Sequence, residues 1–347
     1  MLKKFFWLSL VGAVLMAAFA AFWVLRPLPL RTPTVDVAIE PHTSVRALAQ
    51  TVVNAGVDVD ATGLYWFFRL SGQSRGLRAG SYELVAGHTA LDLLRKLTRG
   101  EESLRAVTLV EGWTFRQFRQ ALDKAEGLQH DTRGLSDAQI MAQLGHPGLA
   151  AEGRFYPDTY TYGKGSSDWR VLQRAARAMQ RQLDAAWNQR AKDAVLRSPD
   201  EALILASIVE KETGRDSDRT RIASVFHNRL RIDMPLQTDP TVIYGLGERF
   251  DGNLRRADLQ RDHAWNTYTR KGLPPTPIAM PGRQALLAAV QPAATDALYF
   301  VARGDGTSVF SRSLQEHNAA VDRYQRKGQG SSPPAEDKPT RSPPQAK

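Results

Sequence analysis

The chain has 347 residues, of which 42% are hydrophobic and 24% charged, as in an ordinary folded protein of about two domains with a sizeable core. It contains no cysteine, which excludes disulfides, thiolate metal sites and a cysteine nucleophile. Its net charge of +10 is spread along the chain, which favours anionic lipid, a cell-wall polymer or a merely solvated basic surface over nucleic acid.

The first predicted element is an uncharged apolar run at residues 5–25. Its length of roughly 20 residues is that of a bilayer-spanning helix, and Trp7 and Trp23 stand where interfacial anchors are found. We therefore expect residues 1–4 in the cytoplasm, one transmembrane helix, and the rest of the chain on the other side. A cleaved signal peptide is the alternative, because residues 18–20 resemble a small-x-small cleavage site.

Two segments are poor in core-forming residues. Residues 26–34 are rich in proline and predict a short linker after the membrane helix. Residues 328–347 contain no large aliphatic or aromatic residue, so we expect a disordered tail.

A strand–turn–helix pattern then recurs. Alternating apolar residues predict a strand, Pro or Gly ends it, and Thr43, Thr89 or Thr114 is expected to cap the following helix. The three copies span residues 37–45, 82–91 and 107–115. We expect residues 35–106 to form a subdomain that resembles a LysM-like carbohydrate-binding module.

The rest of the chain mixes helices and short strands. A largely helical stretch at about 120–200 is interrupted by a predicted loop at residues 145–165, and Asp168–Arg190 is expected to form one long helix. Residues 298–311 predict a β-hairpin. Ser313 and Glu316 then predict a capping box at the start of the last helix. The fold class is therefore α+β, with a catalytic domain at residues 107–327.

Two glutamates end an otherwise apolar helical run at residues 202–213. They are two positions apart and point to different sides, so only one faces a given cleft. Glu210 lies one turn from the small residues Ala206 and Ser207, which leaves room for a ligand. A carboxyl on an apolar face has a raised pKa and can donate a proton to a glycosidic oxygen. Alternatively, Glu210 and Glu212 are exposed carboxylates at a helix end.

The stretch that follows is rich in amides, hydroxyls and aromatic rings, the groups that bind sugars. The alternative is a set of ordinary turns, as at Asp239–Pro240 and Pro281–Gly282. Its motifs are LASIVEKET (205–213), VFHNRL (225–230), LQTDPTVIYG (236–245), NTY (266–268), GLPP (272–275), PIAMPG (277–282), ALYFV (297–301) and EHN (316–318), preceded by EGRFYPDTY (152–160).

In the order and spacing of these motifs, the chain resembles the YceG-like family of endolytic murein transglycosylases over residues 1–325. The resemblance implies one inner-membrane helix, a LysM-like subdomain and a periplasmic catalytic domain. It also implies that Glu210 is the catalytic acid and base. The residues expected to bind substrate lie in the matching motifs and are Gln237, Asp239, Tyr244, Asn266 and Tyr268.

The same resemblance implies an activity and its partners. The expected reaction cleaves the β-1,4 bond between N-acetylmuramic acid and N-acetylglucosamine of nascent peptidoglycan, leaves 1,6-anhydro ends and so terminates glycan elongation. Penicillin-binding proteins are the implied partners, and no cofactor or metal is expected. Two alternatives stay open: a hydrolytic muramidase using Glu212 or Asp239 as second carboxylate, and a membrane-tethered peptidoglycan-binding scaffold.

Overall fold

The computed structural model describes residues 2–212 and 216–326. Their packing divides the chain into two compact units. The first unit comprises Met1–Val110, Arg116–Ala151 and Pro157–Ala176, and the second comprises Glu111–Phe115, Glu152–Tyr156 and Arg177–Lys347. The predicted division between a LysM-like subdomain and a catalytic domain at residue 106 stays a prediction, and the predicted disordered tail lies outside the described residues.

The described part of the chain is a mixture of helices and small antiparallel sheets. The elements are α1 (Leu2–Leu25), β1 (Thr34–Ile39), α2 (Val45–Asn54), α3 (Ala61–Leu70), β2 (Gly80–Val85), α4 (Ala90–Arg99), β3 (Leu104–Thr108), α5 (Phe115–Lys124), α6 (Asp137–Gln143), β4 (Thr159–Gly163), α7 (Asp168–Asn188), α8 (Pro199–Glu212), α9 (Asp216–Arg231), α10 (Asp239–Leu246), α11 (Arg256–Gln260), α12 (Arg283–Val290), β5 (Tyr299–Ala302), β6 (Ser308–Ser311) and α13 (Leu314–Val321). This is the predicted α+β class, and the long helix predicted at Asp168–Arg190 is confirmed as α7.

The predicted membrane segment forms helix α1. Within residues 2–212 and 216–326, no helix combines the length and the apolar character needed to cross a bilayer. The transmembrane span therefore stays a prediction. The following segment, predicted as a linker, is hydrogen-bonded to the first unit: the Leu28 N–H donates to the His88 carbonyl at 2.7 Å and the Arg31 N–H to the Gly56 carbonyl at 3.0 Å.

The first unit contains a two-stranded sheet with helices packed against it. Strands β1 and β2 pair antiparallel, with α2 and α3 between them in sequence. The predicted cap Thr89 is confirmed, because it forms a capping box with Asp92 at the start of α4. The prediction that Thr43 caps α2 is wrong. Ser44 accepts from the Ala47 N–H and caps α2, whereas Thr43 donates back to a turn carbonyl.

A second two-stranded sheet pairs β3 with β4. Strand β4 lies inside the loop predicted at residues 145–165, so that prediction is wrong for Thr159–Gly163. Its Thr-Tyr-Thr-Tyr sequence alternates, with Tyr160 and Tyr162 buried at 8% and 6% exposure, and such residues favour a half-buried strand. The glycines and prolines around it had obscured this alternation.

The second unit is built around α8, whose residues from Ala202 to Val209 are buried almost without interruption, Ile204 being only half-buried. Helices α9 and α12 pack against it. A helix that is apolar on all sides belongs in the core, and here it fixes the position of its polar carboxyl end. The predicted hairpin is confirmed as β5–β6, and the predicted capping box of Ser313 and Glu316 opens α13.

Candidate active site

The two glutamates at the end of α8 have different surroundings. The Glu210 side chain is 7% exposed, and its Oε1 lies 3.5 Å from Nη2 of Arg219 on α9. Its Oε2 accepts the backbone N–H of Gly282, the residue before α12, at 2.9 Å. Burial raises the pKa of Glu210, while the Gly282 N–H and the Arg219 guanidinium oppose that rise. Glu210 is thus a carboxylate held by two donors.

A third carboxylate, Glu111, lies beside Glu210 and was not singled out from the sequence. Its loop is held by backbone bonds from the Gly112 N–H to the Met280 carbonyl at 2.9 Å and from the Met280 N–H to the Trp113 carbonyl at 2.8 Å. A Cβ on Gly282 would lie 1.9 Å from Oε1 of Glu111, so any side chain at position 282 would force the Glu111 carboxylate to move. The charge of Glu111 adds to the upward shift in the pKa of Glu210.

Glu212 is held instead by the segment before α10. The Thr238 hydroxyl donates to Oε1 of Glu212. Burial raises the pKa of Glu212 to about 7, and the nearby charge of Asp239 adds to that rise, whereas the Thr238 hydrogen bond and Arg229 oppose it. A carboxylic acid with this pKa is partly protonated at neutral pH, as a general acid must be.

Glu212 opens onto a cavity of about 360 Å³, within the usual range of small-ligand sites. Three of the five residues predicted to bind substrate lie in its wall: Gln237, Asp239 and Tyr268. The Tyr268 hydroxyl donates to Oδ1 of Asp239 at 2.5 Å, and burial, reinforced by this bond, raises the pKa of Tyr268. The remaining wall residues are Arg229, Leu236, Tyr299, Phe300, Leu314 and His317.

Arg229 stabilises the cavity wall by bonding to two of the segments that form it. It is buried, and it donates to the Leu298 carbonyl at 2.7 Å and to the Leu236 carbonyl at 2.9 Å. Its guanidinium also lies 5.1 Å from the centre of the Tyr299 ring. Arg229 therefore ties the segment before α10 to the β5–β6 hairpin. Gln237 has a left-handed backbone with φ of 49°, and its N–H donates to the Thr267 carbonyl at 3.0 Å. Such a conformation costs free energy and is common at binding sites.

The other two predicted binding residues lie outside the cavity wall. Asn266 is fully buried, and its Nδ2 donates to the carbonyls of Leu259 at 3.0 Å and Arg261 at 2.7 Å. Its Oδ1 accepts the Tyr268 N–H at 2.8 Å, which positions the tyrosine. Tyr244 packs edge-on against Trp265, with ring centres 5.5 Å apart. A role for either residue in binding substrate stays a prediction.

Metal chemistry was not expected from the sequence. In the described ranges, no group of three or more His, Asp or Glu side chains is placed to hold a metal ion. The chemistry that this arrangement supports is proton transfer by a buried carboxyl next to a polar cavity with aromatic walls.

Comparison with known proteins agrees with the family resemblance of the sequence motifs. A family model described as the YceG-like family matches residues 37–323. A protein of Bacillus subtilis (strain 168) named endolytic murein transglycosylase is 32% identical over 317 residues, which cover 84% of this chain and 85% of that protein. A Streptococcus pneumoniae (serotype 2, strain D39) protein of the same name is 27% identical, with 83% of this chain covering 58% of that longer protein.

The fold has a counterpart among solved structures. The crystal structure of a YceG-like protein from Listeria monocytogenes matches 83% of this chain and 98% of that chain, with a TM-score of 0.52 and 28% sequence identity.

Proposed function

This chain belongs to the YceG-like family, and on that basis we propose that it is an endolytic murein transglycosylase that cleaves peptidoglycan strands within their length. The substrate bond is the β-1,4 linkage between N-acetylmuramic acid and N-acetylglucosamine. Support comes from the family match and from relatives with this name over most of the chain.

The geometry favours Glu212 as the acid and base. The sequence pattern and the family resemblance of the VEKET motif select Glu210, which remains the alternative, but Glu210 is engaged by Arg219 and Gly282. The observation that carries the assignment is the cavity that joins Glu212 to Gln237, Asp239 and Tyr268. A general acid must reach the bond that it protonates, and Glu212 has both the open space and a pKa of about 7.

The proposed reaction uses one carboxyl twice. Protonated Glu212 gives its proton to the glycosidic oxygen as the bond to C1 of the muramyl sugar breaks. The 6-hydroxyl of that sugar then closes on C1, and the Glu212 carboxylate takes the hydroxyl proton, which leaves a 1,6-anhydro end. An internal nucleophile has a high effective molarity and needs no activated water, unlike the two-carboxylate glycosidases.

We also propose a location and partners. The uncharged run at residues 5–25 of the sequence supports anchoring in the inner membrane with the two units in the periplasm, where nascent glycan strands occur. Cutting nascent strands would terminate their elongation and would suit association with penicillin-binding proteins. A reporter fused to the carboxyl terminus tests the orientation. If a reporter that works only in the cytoplasm is active in this fusion, the proposed orientation is wrong.

Mass spectrometry of purified glycan strands after incubation with the chain tests the reaction class. The proposal expects new 1,6-anhydro-muramyl ends. Reducing muramyl ends would instead identify a hydrolytic muramidase, and binding without any product would identify a peptidoglycan-binding scaffold.

A further inference from the structure

Helix α3 is apolar on two faces. Leu64 and Phe68 are fully buried in the core of the first unit. A second stripe follows the spacing i, i+3, i+4, i+7 and consists of Gly63, Trp66, Phe67 and Leu70. A surface helix of a globular protein needs only one apolar stripe, so the second one requires its own explanation.

Helix α1 covers half of this second stripe. The Trp23 ring meets the Phe67 ring edge-on, with centres 6.0 Å apart, and lies 3.4 Å from the position that a Cβ on Gly63 would occupy. The other half is open: Trp66 is 53% exposed and Leu70 is 80% exposed.

The end of α1 also exposes apolar side chains. On the last turn of α1, Phe22 is 68% exposed and Leu25 is 60% exposed. The segment after α1 is fixed to the same unit, since Leu28 is buried and its N–H donates to the His88 carbonyl. Both helices therefore expose apolar side chains within one turn of the contact between Trp23 and Phe67. We call Phe22, Leu25, Trp66 and Leu70 the α1–α3 surface.

We propose that the α1–α3 surface lies against an anionic lipid bilayer, with Trp66 and Leu70 at the boundary between headgroups and acyl chains beside the end of α1. Large exposed apolar patches mark membrane or protein contacts. Tryptophan is favoured at the lipid interface, and the exposed cations Arg26 and Arg69 near the surface complement anionic headgroups. This contact goes beyond the proposed reaction, because it would fix how the first unit is oriented on the membrane.

Single thiols test the proposal directly, because the chain contains no cysteine. In the full-length chain, Trp66→Cys and Leu70→Cys each introduce one thiol on the α1–α3 surface, and a spin label is attached to that thiol. Val14→Cys reports whether α1 itself is in lipid, and Glu126→Cys, at an 84% exposed side chain of the same unit, is the matched aqueous control. Each labelled chain is reconstituted in vesicles of phosphatidylethanolamine and phosphatidylglycerol, and collision of the label with oxygen and with a water-soluble nickel complex is measured.

The proposal expects labels at 66 and 70 to be reached by oxygen and shielded from nickel, as at position 14 and unlike position 126. Labels at 66 and 70 that collide with nickel as freely as the label at 126 would overturn it, whether or not position 14 is shielded. Shielding that develops equally without vesicles would assign the surface to a second copy of the chain and would also overturn the lipid contact.

Discussion

Glu210 and Glu212 are two residues apart on α8, yet Glu210 is paired with Arg219 and the Gly282 N–H, whereas Glu212 faces a cavity. The difference follows from helix geometry, since positions i and i+2 point about 200° apart. We therefore propose separate tasks for the two carboxyls: Glu210 stabilises the junction of α8, α9 and α12, and Glu212 transfers the proton.

The task of Glu210 predicts a loss of stability. Glu210→Gln should lower the free energy of unfolding by about 1–3 kcal/mol, because the buried Arg219 loses a charged partner. Thermal unfolding measures this loss. Glu126→Gln breaks an exposed pair with Arg105 and should change stability by less than about 1 kcal/mol. Equal effects of the two substitutions would contradict a stabilising role for Glu210.

The raised pKa of Glu212 predicts how stability varies with pH. The folded chain holds the Glu212 proton up to about pH 7, whereas an unfolded chain releases it near 4.5. The contribution of neutral Glu212 to stability is therefore fully present below pH 4.5 and is lost as the pH rises through 7. Unfolding curves of the unsubstituted chain and of Glu212→Gln from pH 4 to 8 should show this difference. Parallel pH dependences would refute it.

Asp239 should raise the upper pH limit of activity, which burial of Glu212 mainly determines. Its charge adds to the raised pKa of Glu212, so Asp239→Asn should move the loss of kcat/KM with rising pH to lower pH. Asp251→Asn makes the same charge change at an exposed pair with Arg255 and is the matched control. A profile that keeps its midpoint but falls in amplitude would indicate that Asp239 only binds substrate.

Asn266 should stabilise the loop that contains Leu259, Arg261 and Tyr268 rather than contact the sugar. Asn266→Ala leaves the carbonyls of Leu259 and Arg261 and the Tyr268 N–H without their partner. We expect a loss of about 2–3 kcal/mol in the free energy of unfolding. Unfolding curves measure it, and a loss of substrate affinity with unchanged stability would instead support direct binding.

Local patterns predicted the fold better than the site. Alternation predicted the β5–β6 hairpin, capping residues predicted the Thr89 box, and the scarcity of helix breakers predicted α7, because these features depend on neighbours in sequence. The cap at Ser44 could not be distinguished from Thr43 by pattern, since both residues can cap a helix.

The site depends on contacts between distant segments. Helix periodicity separated Glu210 from Glu212 but could not show which one faces the cavity, because Thr238 and the β5–β6 hairpin form that wall. The sequence motifs did select Gln237, Asp239 and Tyr268, which lie in the wall of one cavity. Glu111 carried no signal, since its approach to Gly282 depends on backbone pairing with Met280.

Mass spectrometry of the glycan products of Glu210→Gln and Glu212→Gln, at a temperature where both variants are folded, shows which of the two carboxyls is the acid. We expect 1,6-anhydro-muramyl products from the unsubstituted chain and from Glu210→Gln, and none from Glu212→Gln. Products from Glu212→Gln, together with their loss in Glu210→Gln, would contradict it and return the acid to Glu210.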